Sequence, residues 1–297
     1  MKSITVYHYD AFSTEPNKGN PAGVVLNGAD LTDQEMQEIA FKAGFNETAF
    51  LLNSDAPDLR IRYFTPGHEM NLCGHGTIAS IYALIKNGLL MQKNSLTIET
   101  LAGNLPIKIN ALSGDDIQIT MQQASPQFAE FKGSVEALAD AIGLVKGDID
   151  DALPILYGST GIWTLLIPIK SLETFNKMEP NNELFPAVLT ELPKVSLHPF
   201  CLETYDATAH MHARHFSSPY SGTIEDPVTG TASGVMGAYY AKYINSHFEK
   251  TLHLKVEQGQ EMNKDGRVMV HVTKNKGQYA IEITGSAVYV KEFEVGL

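Results

Sequence analysis

Apolar and polar positions alternate from Ile4 to Phe12, which predicts an opening β-strand. A turn-rich stretch from Ser13 to Gly19 follows, and Pro21-Ala22-Gly23-Val24-Val25-Leu26 predicts the second strand of a hairpin-like opening. Thr32, three residues ahead of Glu35, forms a capping box, with Leu31 and Met36 placed as a hydrophobic staple. A helix is predicted to start there, because Met36, Ile39, Ala40 and Ala43 make one apolar stripe and Gly44 supplies a left-handed stop. Thr48 to Leu52 and Leu59 to Phe64 read as strands, and the loop from Thr65 to Gly76 leads into a second helix predicted from Thr77. Thr77 to Ile85 is apolar or small nearly all round, so this helix is expected to be enclosed on every side.

The same grammar recurs in the second half. Arg62-Tyr63-Phe64-Thr65-Pro66 is echoed by Arg214-His215-Phe216-Ser217-Ser218-Pro219. Gly76-Thr77 and Gly230-Thr231 each open an apolar, small-residue helix, and both helices run towards strands reading Leu96-Thr97-Ile98-Glu99 and Leu254-Lys255-Val256-Glu257. Ser134 to Gly143 reads as a short capped helix with Val135, Leu138, Ala139 and Ile142 on one face. The repeat predicts an α+β protein of two pseudo-symmetric domains, each a barrel-like curled sheet around a central helix, rather than one unrelated large α+β fold. The boundary is expected between Gln122 and Pro126, giving domains 1–122 and 123–279, with 280–297 a candidate to return to the first. Two related halves imply a cleft between them.

At 297 residues, 43% of them hydrophobic, either two domains of about 150 residues or one large one can enclose a core. The 22 basic against 34 acidic residues leave a net charge of −12, whose field repels phosphate backbones and anionic lipid. A small molecule is therefore expected as partner, and neither nucleic acid nor membrane. Cys73 and Cys201 do not make a disulfide framework, which fits a reducing cytoplasm. The N-terminus is strand-like and unlike a signal peptide, and no segment approaches the 18 or so apolar residues of a membrane span.

Candidate chemistry clusters at the two helix starts. The turns Cys73-Gly74-His75-Gly76-Thr77 and Pro227-Val228-Thr229-Gly230-Thr231 aim helix dipoles and backbone N–H groups at one place, which suits a substrate carboxylate; otherwise these glycines only permit tight turns. Glu47 stands just before or within an apolar strand. Burial there would disfavour its charge and tune it as a general acid/base, whereas an exposed position would make it a strand-edge acid. His75, between two glycines, reads as a substrate-orienting or proton-relaying imidazole, or as a loop brace. Of Glu225-Asp226 in the mirror loop, Asp226 is the choice to face His75. His210 and His212 would share a face of one strand, a pair short of the ligands that zinc needs and more simply read as polar decoration. No P-loop is present, and Gly158-Ser159-Thr160-Gly161 leads into a strand, so no built-in cofactor is implied.

The segments Gly19-Asn20-Pro21-Ala22, Asn46-Glu47-Thr48-Ala49-Phe50, Arg62-Tyr63-Phe64-Thr65-Pro66, Leu72-Cys73-Gly74-His75-Gly76-Thr77 and Glu225-Asp226-Pro227-Val228-Thr229-Gly230-Thr231-Ala232 together resemble the phenazine-biosynthesis PhzF-like family. The resemblance implies the diaminopimelate-epimerase-like fold, a site between two domains and usually a homodimer. It also implies proton transfer within a dihydro-hydroxyanthranilate without metal or organic cofactor, carried by a Glu, a His and an Asp. Those positions are Glu47, His75 and Asp226 here. It puts the substrate carboxylate on the Gly74 and Gly230 turns, with Gly76, Thr77 and Thr231 alongside and Asn20 lining the cleft. Asn46 stands where Ser is usual and Gly76 where Ala or Pro is usual, which leaves the substrate open. Related epimerases use two cysteines, one per helix start, whereas this chain keeps Cys73 in the first and has Pro227-Val228 rather than Cys in the second.

The leading expectation is a cofactor-independent isomerase that shifts a proton within a small carboxylic acid, with Glu47 as the base. The alternatives are an epimerase or racemase using Cys73 with another base, and a non-catalytic small-acid binding protein.

Overall fold

The opening alternation becomes β1 (Ser3–Ala11), paired antiparallel with β2 (Asn20–Val25). The computed structural model describes residues 2–55, 57–90, 93–111, 117–275 and 277–297. The chain divides into two units, Met1–Gln122 with Thr284–Leu297, and Gln123–Ile283.

In the first unit, α1 (Asp33–Ala43) starts on the capping box: Glu35 N–H donates to Thr32 Oγ1 at 3.2 Å, and Thr32 N–H to Glu35 Oε2 at 2.8 Å. Gly44 closes the helix at φ +72°, which costs a residue without Cβ nothing. Leu31, Met36, Ile39 and Ala40 pack with Val6, Val25, Phe50 and Phe64, so α1 lies on one face of the sheet.

The chain continues through β3 (Thr48–Leu52), β4 (Leu59–Phe64), β5 (Glu69–Met70), α2 (Gly74–Lys86), β6 (Ser95–Thr100), β7 (Gly103–Ala111) and β8 (Ile117–Gln122). The C-terminal strand Ala287–Gly296 pairs with β1, and the order then runs β1, β2, β3, β4, β6, β7, β8, with β5 added to β4. Helix α2 packs against the C-terminal strand, β1, β2 and β3, and also against β8 at the other end of that order. The sheet therefore curls around it. Every residue from His75 to Leu84 is buried, as the all-round apolar sequence predicts. Each enclosed aliphatic such as Ile78 or Ile81 contributes about 2 kcal/mol by leaving water.

The second unit runs β9 (Gln127–Glu130), α3 (Val135–Ala141), β10 (Leu156–Ser159), β11 (Trp163–Pro168), α4 (Phe185–Val188), β12 (Ser196–Cys201), β13 (Met211–Ala213), α5 (Gly230–Tyr239), β14 (Thr251–Gln258), β15 (Gly266–Asn275) and β16 (Gln278–Gly285), the last carrying the chain back into the first unit. Ser134 caps α3 by accepting Ala137 N–H. Helix α5 is buried from Ala232 to Tyr239 and packs against β10, β11 and β15.

The pairings show why the sequence words recur. From β9 to β15 they run antiparallel, antiparallel, parallel, antiparallel, parallel, antiparallel. From the C-terminal strand through β1, β2, β3, β4 and β6 to β7 they run in the same sequence. The C-terminal strand thus supplies to the first unit what β9 supplies to the second.

One register expectation is corrected. The sequence words set Gly76 against Gly230, whereas the structure sets Gly74 against Gly230. Phe64 pairs with Glu69 and Phe216 with Glu225. The caps Cys73 and Thr229 then match, and the Thr77 and Ser233 hydroxyls donate back to the Cys73 and Thr229 carbonyls at 2.8 and 2.9 Å. Accordingly, α2 begins at Gly74 rather than Thr77, because Cys73 caps it through Gly76 N–H.

Candidate active site

Glu47 stands immediately before β3, and its carbonyl accepts Gly23 N–H at 3.2 Å, which ties it to β2. Its side chain points to the start of α2, where Oε2 lies 3.2 Å from His75 Nε2. The Glu47 side chain is 19% exposed and that of His75 is 9% exposed, so the pair is neither sealed nor in bulk water. Asn20, the buried first residue of β2, places Nδ2 3.2 Å from His75 Nδ1. That contact fixes the ring so that Nε2 faces the carboxylate. An Asn amide can offer either its nitrogen or its oxygen, so this partner suits the neutral and the protonated ring alike.

Cys73 Sγ lies 3.5 and 3.6 Å from the two ring nitrogens of His75 and accepts Gly76 N–H at 3.3 Å. Burial pushes the Cys73 thiol up; the His75 imidazole opposes this and the Glu47 carboxylate adds to it. Burial alone would disfavour protonated His75, yet the Cys73 sulfur and the Glu47 carboxylate beside it hold its pKa well above the ordinary value. Burial thus disfavours the Cys73 thiolate, and the Glu47 carboxylate favours a proton on His75.

The Thr77 hydroxyl is engaged within the first unit. It is fully buried, donates to the Cys73 carbonyl at 2.8 Å and accepts from Tyr63 OH at 2.5 Å. Its place is to brace the first turn of α2. Gly74 has open space where a Cβ would stand, which leaves the helix start approachable, whereas a Cβ on Gly76 would lie 3.0 Å from Cys73 Sγ. Sequence reading left Tyr63 without a task, although it sits inside the Arg62-Tyr63-Phe64 word that marks the repeat.

In the second unit Asp226, Gly230 and Thr231 gather at the start of α5. Asp226 Oδ2 accepts the Thr229 hydroxyl, its N–H donates to the His215 carbonyl at 2.9 Å, and its carbonyl accepts from Gln258 Nε2 at 2.7 Å. Thr231 is half-buried, and its carbonyl accepts from Thr160 Oγ1 at 3.1 Å. Glu225 is held in a two-pronged pair with Arg214 at 2.8 and 2.7 Å, as Glu69 is with Arg62 at 2.6 and 2.8 Å. Cys201, the other cysteine, is buried on β12 with its thiol donating to the Glu203 carbonyl.

The reading of His210 and His212 as a matched pair is corrected. His210 lies outside β13 and accepts Lys255 N–H. His212 is fully buried between Glu257 and Glu261, 3.1 Å from one and 3.0 Å from the other. Those acids come from β14 and the turn after it, and no spacing in the sequence announces them.

Glu47, Cys73 and His75 offer carboxylate, sulfur and imidazole donor atoms within 4.8 Å of one another. Among the described residues no helix is long and apolar enough to cross a membrane.

The family described as "phenazine biosynthesis-like protein" matches residues 9–293. The chain belongs to the phenazine biosynthesis-like family. Within it, the chain is 54% identical over 289 residues to the uncharacterised isomerase YfhB of Bacillus subtilis (strain 168), covering 97% of each. The crystal structure of the Bacillus anthracis phenazine biosynthesis protein of the PhzF family aligns with a TM-score of 0.98 at 60% identity, covering 100% of both chains. A more distant family relative, the trans-2,3-dihydro-3-hydroxyanthranilate isomerase of Pseudomonas aeruginosa, is 29% identical and covers 93% of this chain and 94% of its own. Gly76 has a local reason: without a Cβ it makes room for the thiol of Cys73.

Proposed function

We propose that this member of the phenazine biosynthesis-like family is a cofactor-independent isomerase that moves a proton between carbons of a small unsaturated carboxylic acid. The observation that carries the reading is the Glu47–His75 contact of 3.2 Å at the start of α2, with the far side of the imidazole held by Asn20. The names of its relatives support the reaction class: YfhB is named an isomerase, and the Pseudomonas aeruginosa relative acts on trans-2,3-dihydro-3-hydroxyanthranilate.

In this reading Glu47 Oε1 takes a proton from a carbon next to the unsaturated system, while Oε2 stays bonded to His75 Nε2–H. The electron pair left behind spreads through the π-system towards the substrate's acid group, which rests on the N–H groups opening α2 at Gly74 and His75. The same carboxyl group then returns the proton at a second carbon. Because one base serves both steps, the shift takes place on one face of the substrate. Asp226 and Thr231 remain the second unit's candidates for proton traffic and substrate binding, with Asp226→Asn as their test.

Cys73 is the weaker candidate base. Burial holds its thiol protonated, and the matching cap in the second unit is Thr229, so two-thiol racemisation lacks its second thiol.

The test is incubation with a panel of unsaturated amino- and hydroxy-acids in heavy water, followed by NMR. Deuterium entering at two carbons of one allylic system supports the reading. Saturable binding of such acids without any exchange would instead mark a binding protein.

A further inference from the structure

The two helix starts differ at matching positions. Phe64 with Glu69 answers to Phe216 with Glu225, and Arg60 with Glu99 answers to His212 with Glu257. One residue further on, Met70 in the first unit therefore answers to Asp226 in the second, and Thr100 answers to Gln258. We propose that Gln258 is a positioning residue for the proton transfer: it clamps the turn from Asp226 to Thr229 and, through the Thr229 hydroxyl, sets the direction of the Asp226 carboxylate. The part given to Asp226 rests on the function proposed above; the hydrogen bonds of the clamp do not.

Gln258 is the last residue of β14 and is 1% exposed. Its Nε2 donates to the Asp226 carbonyl at 2.7 Å and reaches Thr229 Oγ1 at 3.4 Å, while its Oε1 accepts Thr229 N–H at 3.1 Å. These partners fix which way the amide faces, since a carbonyl only accepts and a backbone N–H only donates. One side chain thus bonds both ends of the turn. The Thr229 hydroxyl, with Gln258 Nε2 on its acceptor side, donates on to Asp226 Oδ2.

That hydroxyl has been diverted from its usual task. A threonine at an N-cap ordinarily accepts an N–H of the first helical turn, as Cys73 does from Gly76. Thr229 holds the cap position of α5 but makes no side-chain capping bond, because its hydroxyl goes to Asp226. In the first unit Met70 has no carboxylate to aim. There Thr100 Oγ1 donates to the Gly103 carbonyl at 2.9 Å and accepts Ala102 N–H at 3.1 Å, closing its own turn. Clamp and carboxylate occur together in the second unit, and their counterparts in the first have neither.

The strand end that carries Gln258 is itself anchored. Its neighbour Glu257 lies 3.1 Å from His212 Nδ1 and accepts the Tyr205 and Asp206 N–H groups at 2.7 and 3.0 Å. On the other side, a Cβ on Gly259 would lie 2.8 Å from the Pro227 carbonyl oxygen, so the chain presses on the middle of the same turn. Without the amide of Gln258, the Asp226 carbonyl and Thr229 N–H lose their partner and the Thr229 hydroxyl is released to the helix. A misplacement of about 1 Å in a reacting group costs up to about 100-fold in rate.

The experiment compares Gln258→Leu, Thr229→Val and Thr229→Ser with the unaltered full chain, on an unsaturated carboxylic acid that the latter labels in heavy water. Gln258→Leu keeps the bulk and removes the clamp; labelling at saturating acid is expected to fall about tenfold, with half-saturation within about twofold. Thr229→Val should lose as much, and Thr229→Ser, which keeps the hydroxyl, should label almost fully, a comparison that holds even where Gln258→Leu does not fold. In an Asp226→Asn background Gln258→Leu should add less than about twofold, since a residue that acts through Asp226 has no carboxylate left to aim. Amide hydrogen exchange at Thr229 should quicken about tenfold in Gln258→Leu. Undiminished labelling by Gln258→Leu, equal labelling by Thr229→Val and Thr229→Ser, or a tenfold loss added to that of Asp226→Asn overturns the proposal. Undiminished labelling by Asp226→Asn, with a quickened Thr229 amide in Gln258→Leu, would instead overturn the part given to Asp226 and reduce the clamp to a brace of the turn.

Discussion

Gly76 and Cys73 occupy one space: a β-carbon on the glycine would lie 3.0 Å from the sulfur and 3.3 Å from the Tyr63 ring. Alanine in a helix is ordinarily worth about 1 kcal/mol over glycine. Here Gly76→Ala is expected to destabilise the chain by about 1 kcal/mol, because overpacking against the sulfur outweighs propensity. In a Cys73→Ala background the penalty should shrink. Urea unfolding of both single variants and the double measures the coupling, and strict additivity would contradict it.

Asn20 acts through His75, so its effect should appear in the turnover step. Asn20→Ala removes one hydrogen bond to the ring, and exchange at saturating acid is expected to slow about tenfold, matching a loss of about 1.4 kcal/mol, with little change in KM. The pH profile of exchange should shift as well. A loss confined to KM would place Asn20 on the substrate instead.

The two arginine pairs of the repeat predict unequal costs. Arg214 and Glu225 are each 10% exposed, whereas Arg62 and Glu69 are 13% and 23% exposed and Asp33 also bonds Arg62. Glu225→Gln strands a buried guanidinium and should cost about 3 kcal/mol. Glu69→Gln should cost about 1 kcal/mol, since water and Asp33 still reach its partner. Chemical denaturation compares the two, and equal losses would show that burial does not set the difference.

Much of the fold was legible in residues whose chemistry is local. Thr32 and Glu35 cap α1 through a pattern of side-chain oxygens at fixed spacing, and Thr48 to Leu52 and Leu59 to Phe64 are β3 and β4 as their apolar runs predict. The enclosed helices were legible because α2 and α5 have no polar face. The start of α2 was misplaced because a cysteine is an uncommon cap, and two glycines in a first turn read as a loop. In the candidate site, Glu47 and His75 stood out as polar groups in apolar or glycine-rich settings. Their contact was not legible, since it depends on the parallel pairing of β2 with β3 around α2. Nor was the His212 cluster, whose acids arrive from another strand and the turn after it.

His212 and His215 should give the second unit opposite responses to pH. Burial alone would lower the His212 pKa, but Glu257 and Glu261 raise it above 6.5. Its stabilisation is therefore full below its unfolded value near 6.5 and is lost as pH rises through the higher folded value. His215 is depressed to about 4 by burial, so its contribution is present above about 6.5 and is lost as pH falls towards 4. Thermal melts should show His212→Gln losing most below pH 6.5 and approaching wild type in alkali. His215→Asn should flatten the acid limb between about pH 6.5 and 4. The reverse pattern would mean that the charges are assigned wrongly.

The measurement closest to the central claim is solvent-deuterium incorporation by Glu47→Gln, which keeps the side chain's shape and removes its titrating group. On an acid that the unaltered protein labels at two carbons, this variant should bind with similar affinity and lose exchange by at least about a thousandfold. Undiminished labelling by Glu47→Gln would contradict the account.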